Sequence, residues 1–192
     1  MQTVTDERYQ VVEEAITQAF FQLSYEKDAW HITVADITRR AGIVRSTFYN
    51  HYEDMPSFIN AMEDKTIDEI FRIMKSFHPE GSSQICYSFF LSLCNYTKNN
   101  KFLADIFKRP EASDFLEKSL TMFHKYAREV SPTSKDMHQD KELTSYAIAY
   151  SIGGVVGILH KWSMDDFVAD EKNVAQYLSY IFLNGYRPLF PE

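Results

Sequence analysis

At 192 residues, with 45% apolar and 15% aromatic content, the chain is long enough to bury a real core and is too apolar to be disordered. Six glycines and six prolines are too few for the many tight turns of a sandwich or barrel and favour helices. A formal net charge of −7 excludes a surface coated in positive charge for nucleic acid or lipid, though not a local basic patch.

The polar opening MQTVTDERYQ is expected to carry no secretory leader. Residues 7–25 read as an amphipathic helix, with Val11, Val12, Ala15, Ile16, Ala19, Phe20 and Leu23 at three-and-four spacing. The stretch EKDAWHI is a connection. Thr33 and Asp36 then match a capping box that starts a new helix. Gly42 follows within three turns as a natural stop. A second short helix is predicted over 44–52. Asp54 is a candidate N-cap and Pro56 suits a first turn, so a longer helix is expected over 55–77.

His78 to Ser83, HPEGSS, clusters Pro, Gly and Ser and marks a break. Helices are expected over 84–99, from the NNKF break to 109, over 113–130, over 142–164 and over 173–189. The polar stretch SPTSKDMHQDK is the longest loop. The expected fold is all-α, with about nine helices and no convincing strand. No apolar run reaches about 18 residues, so no membrane span is expected. Cys86 and Cys94, eight apart in an apolar run, read as reduced core residues of a cytoplasmic protein.

The charge is segregated. The first 60 residues hold nine acids and five Lys or Arg, yet Ile37 to Tyr52 holds three arginines and no acid. Two short helices joined at Gly42 make a helix-turn-helix. In the second, Phe48 and Tyr52 lie four apart and share a face, to pack on Ala35, Ile37 and Ala41. Arg45, Ser46, Tyr49 and Asn50 then face the other way, with Thr47 and His51 at the flanks. Arg45 has the fork to reach guanine, and Asn50 pairs bidentately with adenine. Thr33, Arg39, Arg40 and Tyr49 are candidates for phosphate contacts that fix the register.

These residues resemble the DNA-binding segment of TetR-family (tetracycline-repressor-like) transcriptional regulators. The matching pieces are Ile32-Thr33, Ile37, Ala41-Gly42-Ile43, Thr47-Phe48-Tyr49, His51-Tyr52 and the restart ending in Phe58. The likeness is strong over residues 8–60 and architectural beyond. Three positions depart from the family pattern. Val44 stands where a Ser or Thr usually caps the recognition helix, losing about 1 kcal/mol of capping but offering an apolar surface to a thymine methyl. Met55 stands where a lysine often meets the phosphates, and Asp54 beside it is repelled by them.

The resemblance implies a helix-turn-helix domain over 1–54 and a helical regulatory and dimerisation domain over 55–192, connected by the helix at 55–77. It implies a homodimer on a palindromic operator of double-stranded DNA, acting as a repressor released by a small apolar or aromatic effector. The last two helices would pair across a two-fold axis. Ala147, Ser151 and Gly154, small residues on one face that allow close helix approach, would join Ile158, Tyr177 and Ile181 there. Phe89, Phe90, Leu93, Tyr126, Tyr146 and Tyr150 are the candidates for an effector pocket.

Two alternatives stay open: an activator working with a protein partner, and a helical interaction module that does not bind DNA. An enzyme is not expected. The six histidines (His31, His51, His78, His124, His138 and His160) show no metal-ligand pairing, so no metal or cofactor is predicted. No Ser-His-Asp or Cys-His arrangement assembles. GGVVG lies inside an apolar helix with no strand before it, which argues against a phosphate loop.

Overall fold

The computed structural model of the protein describes residues 2–78, 82–108, 113–130 and 141–185, leaving aside the side chains of 2–6, 113, 127, 128, 130 and 141. Among these residues there are nine α-helices and no strand: α1 (Gln2–Ser24), α2 (Val34–Ala41), α3 (Arg45–Tyr49), α4 (Met55–Phe77), α5 (Ser83–Asn99), α6 (Lys101–Lys108), α7 (Ser113–Val130), α8 (Lys141–Met164) and α9 (Glu171–Asn184). His138, the loop at 131–140, Arg109, Pro110 and residues 186–189 of the predicted last helix lie outside the described residues. The chain divides into two compact units, Met1–Lys65 and Thr66–Glu192. This division falls inside α4, not at Met55 or at the His78–Ser83 break.

In the first unit, α1 packs on α2, and α2 on α3. The capping box is present: the Thr33 hydroxyl accepts from the Asp36 N–H at 3.3 Å, and the Asp36 carboxylate accepts from the Thr33 N–H at 3.0 Å. Lys27 adds an ion pair to Asp36 at 2.5 Å. Hydrogen bonding by the Lys27 ammonium, and next by the Thr33 hydroxyl and N–H, holds the Asp36 carboxyl far below the usual range. Gly42 ends α2 at φ +67°, ψ +30°, the left-handed region that glycine enters freely.

α3 is shorter than the predicted 44–52. Past Tyr49 the backbone tightens, since the Asn50 N–H reaches the carbonyls of both Ser46 and Thr47 and the His51 N–H reaches Phe48. Residues 29–31 of the expected connection form one 3-10 turn capped by Asp28. Asp54 caps α4 through the Ser57 N–H at 2.8 Å, and Pro56 sits in that first turn.

In the second unit, α5 packs chiefly on α9, while α6 and α7 both pack on α8. Ser82 and Asp170 cap α5 and α9 through the N–H groups of Ile85 and Lys172. Cys86 and Cys94 are buried and free, and burial pushes the Cys94 thiol up to about 12. By length and composition, Glu142–Met164 is long and apolar enough to cross a membrane, contrary to the sequence expectation. The reason is that its scattered Ser, Gly and Tyr interrupt the apolar run without lowering its average much. Little of that helix's most apolar stretch is buried, 11% of it.

Removing the cap should be measurable. Thr33→Ala should lower stability by about 1 kcal/mol in urea melts at pH 7. Because the Asp36 pKa is lowered in the folded state, its contribution is complete above the ordinary carboxylate pKa of about 4 and fades as pH falls below it. The wild-type advantage over Asp36→Asn should therefore shrink on going from pH 7 to pH 3.

Candidate nucleic-acid interface

α3 has five residues, too few to hold itself. Its orientation comes from Phe48, which is fully buried. The Phe48 ring meets Tyr52 and Phe58, each at 5.6 Å between centroids. Phe58 in turn meets Phe20 at 5.0 Å and Tyr52 at 4.9 Å. Ile37 is buried beneath. With that face committed inward, Arg45, Ser46, Tyr49 and Asn50 are exposed together, and Thr47 and His51 are half-buried at the margins. Tyr49 is 51% exposed. Val44 is the N-cap residue, makes no side-chain cap bond and is 66% exposed.

The four phosphate candidates differ in their present partners. Arg39 and Tyr49 are exposed. Arg40 is engaged by Glu26 in a fork, with one guanidinium nitrogen 2.8 and 2.7 Å from the two carboxylate oxygens. The Thr33 hydroxyl is engaged by Asp36 at 2.6 Å. For Arg40 to reach a phosphate, an exposed pair of this kind must open, which costs little.

Two residues at this end had no role in the sequence reading. The Tyr9 ring of α1 stacks on His51, with centroids 3.9 Å apart and planes at 23°. Glu13, one turn on, sits 2.9 Å from the Lys65 ammonium and accepts from the Tyr52 hydroxyl at 3.4 Å. Burial, reinforced by the Glu13 charge, pushes the Tyr52 phenol well up. Local pattern holds no signal for either contact, since both partners come from distant parts of the chain.

The second unit holds a partly open cavity of about 60 Å³. Phe89, Phe90 and Leu93 line it as expected, together with Phe123, Ile152 and Phe182, and Ser119 contributes the polar group. Three predicted pocket residues are elsewhere. Tyr126 is buried against Phe71 and Phe123, outside the lining. Tyr146 and Tyr150 are 68% and 60% exposed. They sit on the outer face of α8, whose inner face carries the buried Ile148, Ile152 and Leu159.

That outer face is the one with the small residues. Ala147, Gly153, Gly154 and Gly157 are exposed, and a Cβ added at any of the three glycines would meet nothing within 4 Å. Ser151 and Ile158 are half-buried. On α9, Tyr177, Tyr180 and Leu183 are exposed and Ile181 is half-buried.

Comparison with known proteins places these features. Residues 86–184 match the family model TetR_C_8, described as a transcriptional regulator C-terminal region. The HTH-type transcriptional regulator YxbF of Bacillus subtilis is 38% identical over 66 residues, 34% of this chain and 17% of YxbF, so the match spans under a fifth of that relative. Among solved structures, the fatty acid degradation regulator FadR from Bacillus halodurans superposes with a TM-score of 0.67 at 14% identity, over 90% of this chain and 98% of that one. The dihydroxyacetone kinase operon activator DhaS gives 0.59 at 18% identity, over 95% and 99%. At those identities the two structures share the fold.

The two faces of α3 should separate in denaturation. Phe48→Ala should cost about 3–5 kcal/mol, as a fully buried ring does. Tyr49→Ala should cost under about 0.5 kcal/mol, as an exposed side chain does. Similar losses at both positions would contradict the orientation described.

Proposed function

Because the chain belongs to the TetR family of transcriptional regulators, whose members are DNA-binding regulators and not enzymes, we propose that it binds a palindromic operator as a homodimer and represses transcription. The observation that carries this reading is the outward set Arg45, Ser46, Tyr49 and Asn50, presented by a buried Phe48 in a stretch without acids. Arg45 and Asn50 read base edges in the major groove, and Thr47, Tyr49 and His51 stand beside them. Arg39 and, once Glu26 lets go, Arg40 hold phosphates, with Thr33 at the start of α2.

The exposed glycine and tyrosine face of α8 and α9 supports the dimer. It offers an apolar, closely approachable surface that none of the described residues covers. A second copy seated there also accounts for an apolar helix of this length without a bilayer. Ala147, Ser151, Gly154, Ile158, Tyr177 and Ile181 make the contact, and a two-fold axis matches an inverted repeat.

An effector entering the cavity meets almost wholly apolar walls, with Phe89, Phe90 and Leu93 among them. Fatty acid degradation, the process named for the FadR neighbour, offers effectors of that character. Yet about 60 Å³ is well under the roughly 150 Å³ void that takes up a benzene. That size favours a second reading, an activator controlled by a protein partner, for which the fold likeness to an operon activator is a further support. Transcription from an operator-bearing promoter, run with purified polymerase with and without the protein, separates the two by its sign.

DNA recovered by the full chain from a random-sequence pool should be an inverted repeat. On that duplex, Arg45→Ala and Asn50→Ala should each cost about 1–3 kcal/mol and relax preference at one base position. Arg39→Ala should weaken all sequences alike and flatten the salt dependence. Undiminished binding in the Tyr49→Ala, Asn50→Ala double variant would remove α3 as the reading helix.

Gly154→Leu should sediment as a monomer at micromolar concentration, because its side chain blocks close helix approach while filling only open space in the protomer. A dimer that persists in this variant puts the interface elsewhere.

A further inference from the structure

We propose that Tyr9 is a positioning residue for DNA: its ring, stacked on His51, sets the imidazole so that the Nε2–H donates to a backbone phosphate. The inference rests on the DNA-binding reading above.

His51 lies two residues beyond α3, beside the exposed Asn50. Its Nδ1 is buried and has no hydrogen-bond partner among the described residues. A neutral imidazole carries its hydrogen on one nitrogen only. Placing it on Nδ1 strands a donor in the interior and leaves Nε2 a lone pair, which a phosphate repels. Placing it on Nε2 leaves only an acceptor unpaired inside and puts the N–H on the other nitrogen of this half-buried ring. The tautomer is thus set by the surroundings, as it is wherever a histidine has unequal sides.

Those surroundings are Tyr9 and the Glu13 charge from α1 and Tyr52 from the same segment, with Lys65 of α4 paired to Glu13 behind them. Glu13 is the one carboxylate among them, and its charge is taken up by Lys65 and the Tyr52 hydroxyl. Burial lowers the His51 pKa, and the Glu13 charge opposes that shift without reversing it. Near pH 7 the contact is therefore a neutral donor on a phosphate. It adds a hydrogen bond but no cation, and so does not add to counterion release. Arg39 and Arg40, in contrast, do.

The test measures operator affinity by fluorescence anisotropy, with the duplex recovered from the random pool, over a salt series at pH 7.5 and pH 5.5. At pH 7.5, His51→Ala and Tyr9→Ala should each weaken binding about five- to thirtyfold, one neutral hydrogen bond per half-site, with the salt slope unchanged. Tyr9→Phe, which keeps the stacking face, should restore affinity to within about twofold. In Tyr9→Ala the freed imidazole returns to an ordinary pKa of about 6.5. That imidazole charges at a higher pH than the buried wild-type ring, so on going from pH 7.5 to pH 5.5 the variant should gain affinity relative to wild type, with a steeper salt slope. His51→Ala, with no imidazole to charge, should show no such gain relative to wild type.

Tyr9→Leu, which keeps apolar bulk without a stacking face, should repeat the Tyr9→Ala pattern, so the result does not hang on one truncation. A Tyr9→Ala or Tyr9→Leu deficit that ignores pH, or one that adds in full to His51→Ala in the double variant, overturns the proposal. Recovery of no duplex by the wild-type chain overturns the DNA-binding reading itself, and this inference with it.

Discussion

The orientation of α3 depends on the burial of one ring, that of Phe48. A five-residue helix without a side-chain cap contributes almost nothing to its own stability, and Val44 gives α3 no such cap. What fixes α3 is the transfer of Phe48 into a cluster with Phe20, Tyr52 and Phe58. Burying a ring of that size is worth about 2–3 kcal/mol, and edge-to-face contacts add to it. The stabilisation is indifferent to what the opposite face carries. Among the outward residues, Tyr49 is the exception, because its ring meets the edge of Phe48 at 5.7 Å; Arg45, Ser46 and Asn50 are left unconstrained by that packing.

The same cluster ties α3 to its supports. Phe58 belongs to the first turns of α4, and Phe20 to α1, so the short helix is held on two sides by long ones. The capped start of α2 and the left-handed Gly42 set the third side. Past Tyr49 the hydrogen-bonded turns tighten, and there the Tyr9 ring and the Glu13–Lys65 pair add side-chain contacts to them. Position along this segment thus decides which force holds each residue: backbone bonds first, ring packing in the middle, then side-chain contacts with α1.

Much of this was legible in the sequence, for local reasons. Thr33, Asp36, Gly42, Asp54 and Pro56 act within four residues of themselves, and their roles are read by spacing. The helix at 55–77 carries its own period and its own cap, and its bounds match. What sequence could not supply was contact between distant segments. The pairing of Tyr9 with His51 and the fork from Arg40 to Glu26 join residues far apart in the chain. The end of α3 was misjudged for a related reason, because Asn50 and His51 have no helix-breaking chemistry and only the turn's tightening stops it.

The aromatic surplus of the C-terminal unit shows the limit of composition as a guide. Read as a stripe, the phenylalanines and tyrosines of α5, α7 and α8 suggest a pocket wide enough for a ligand. The structure sorts them by chemistry. Phe89, Phe90, Phe107 and Phe115 go in, while Tyr146, Tyr150, Tyr177 and Tyr180 stay out; Tyr126 of α7 is the exception and is buried. A tyrosine presents apolar area and a hydroxyl together, the combination suited to an interface that forms from water. The aromatic content therefore argues more for a surface to be covered than for a void to be filled. A signal to the DNA-binding unit must act through whatever differs between its bound and free states. A ligand that needs the cavity to grow spends part of its affinity on opening it, whereas a partner at an exposed face spends none in that way. On the proposed reading, an effector larger than the cavity of about 60 Å³ must widen it, and the Phe90 and Phe182 rings, 5.5 Å apart, are among the side chains that line it.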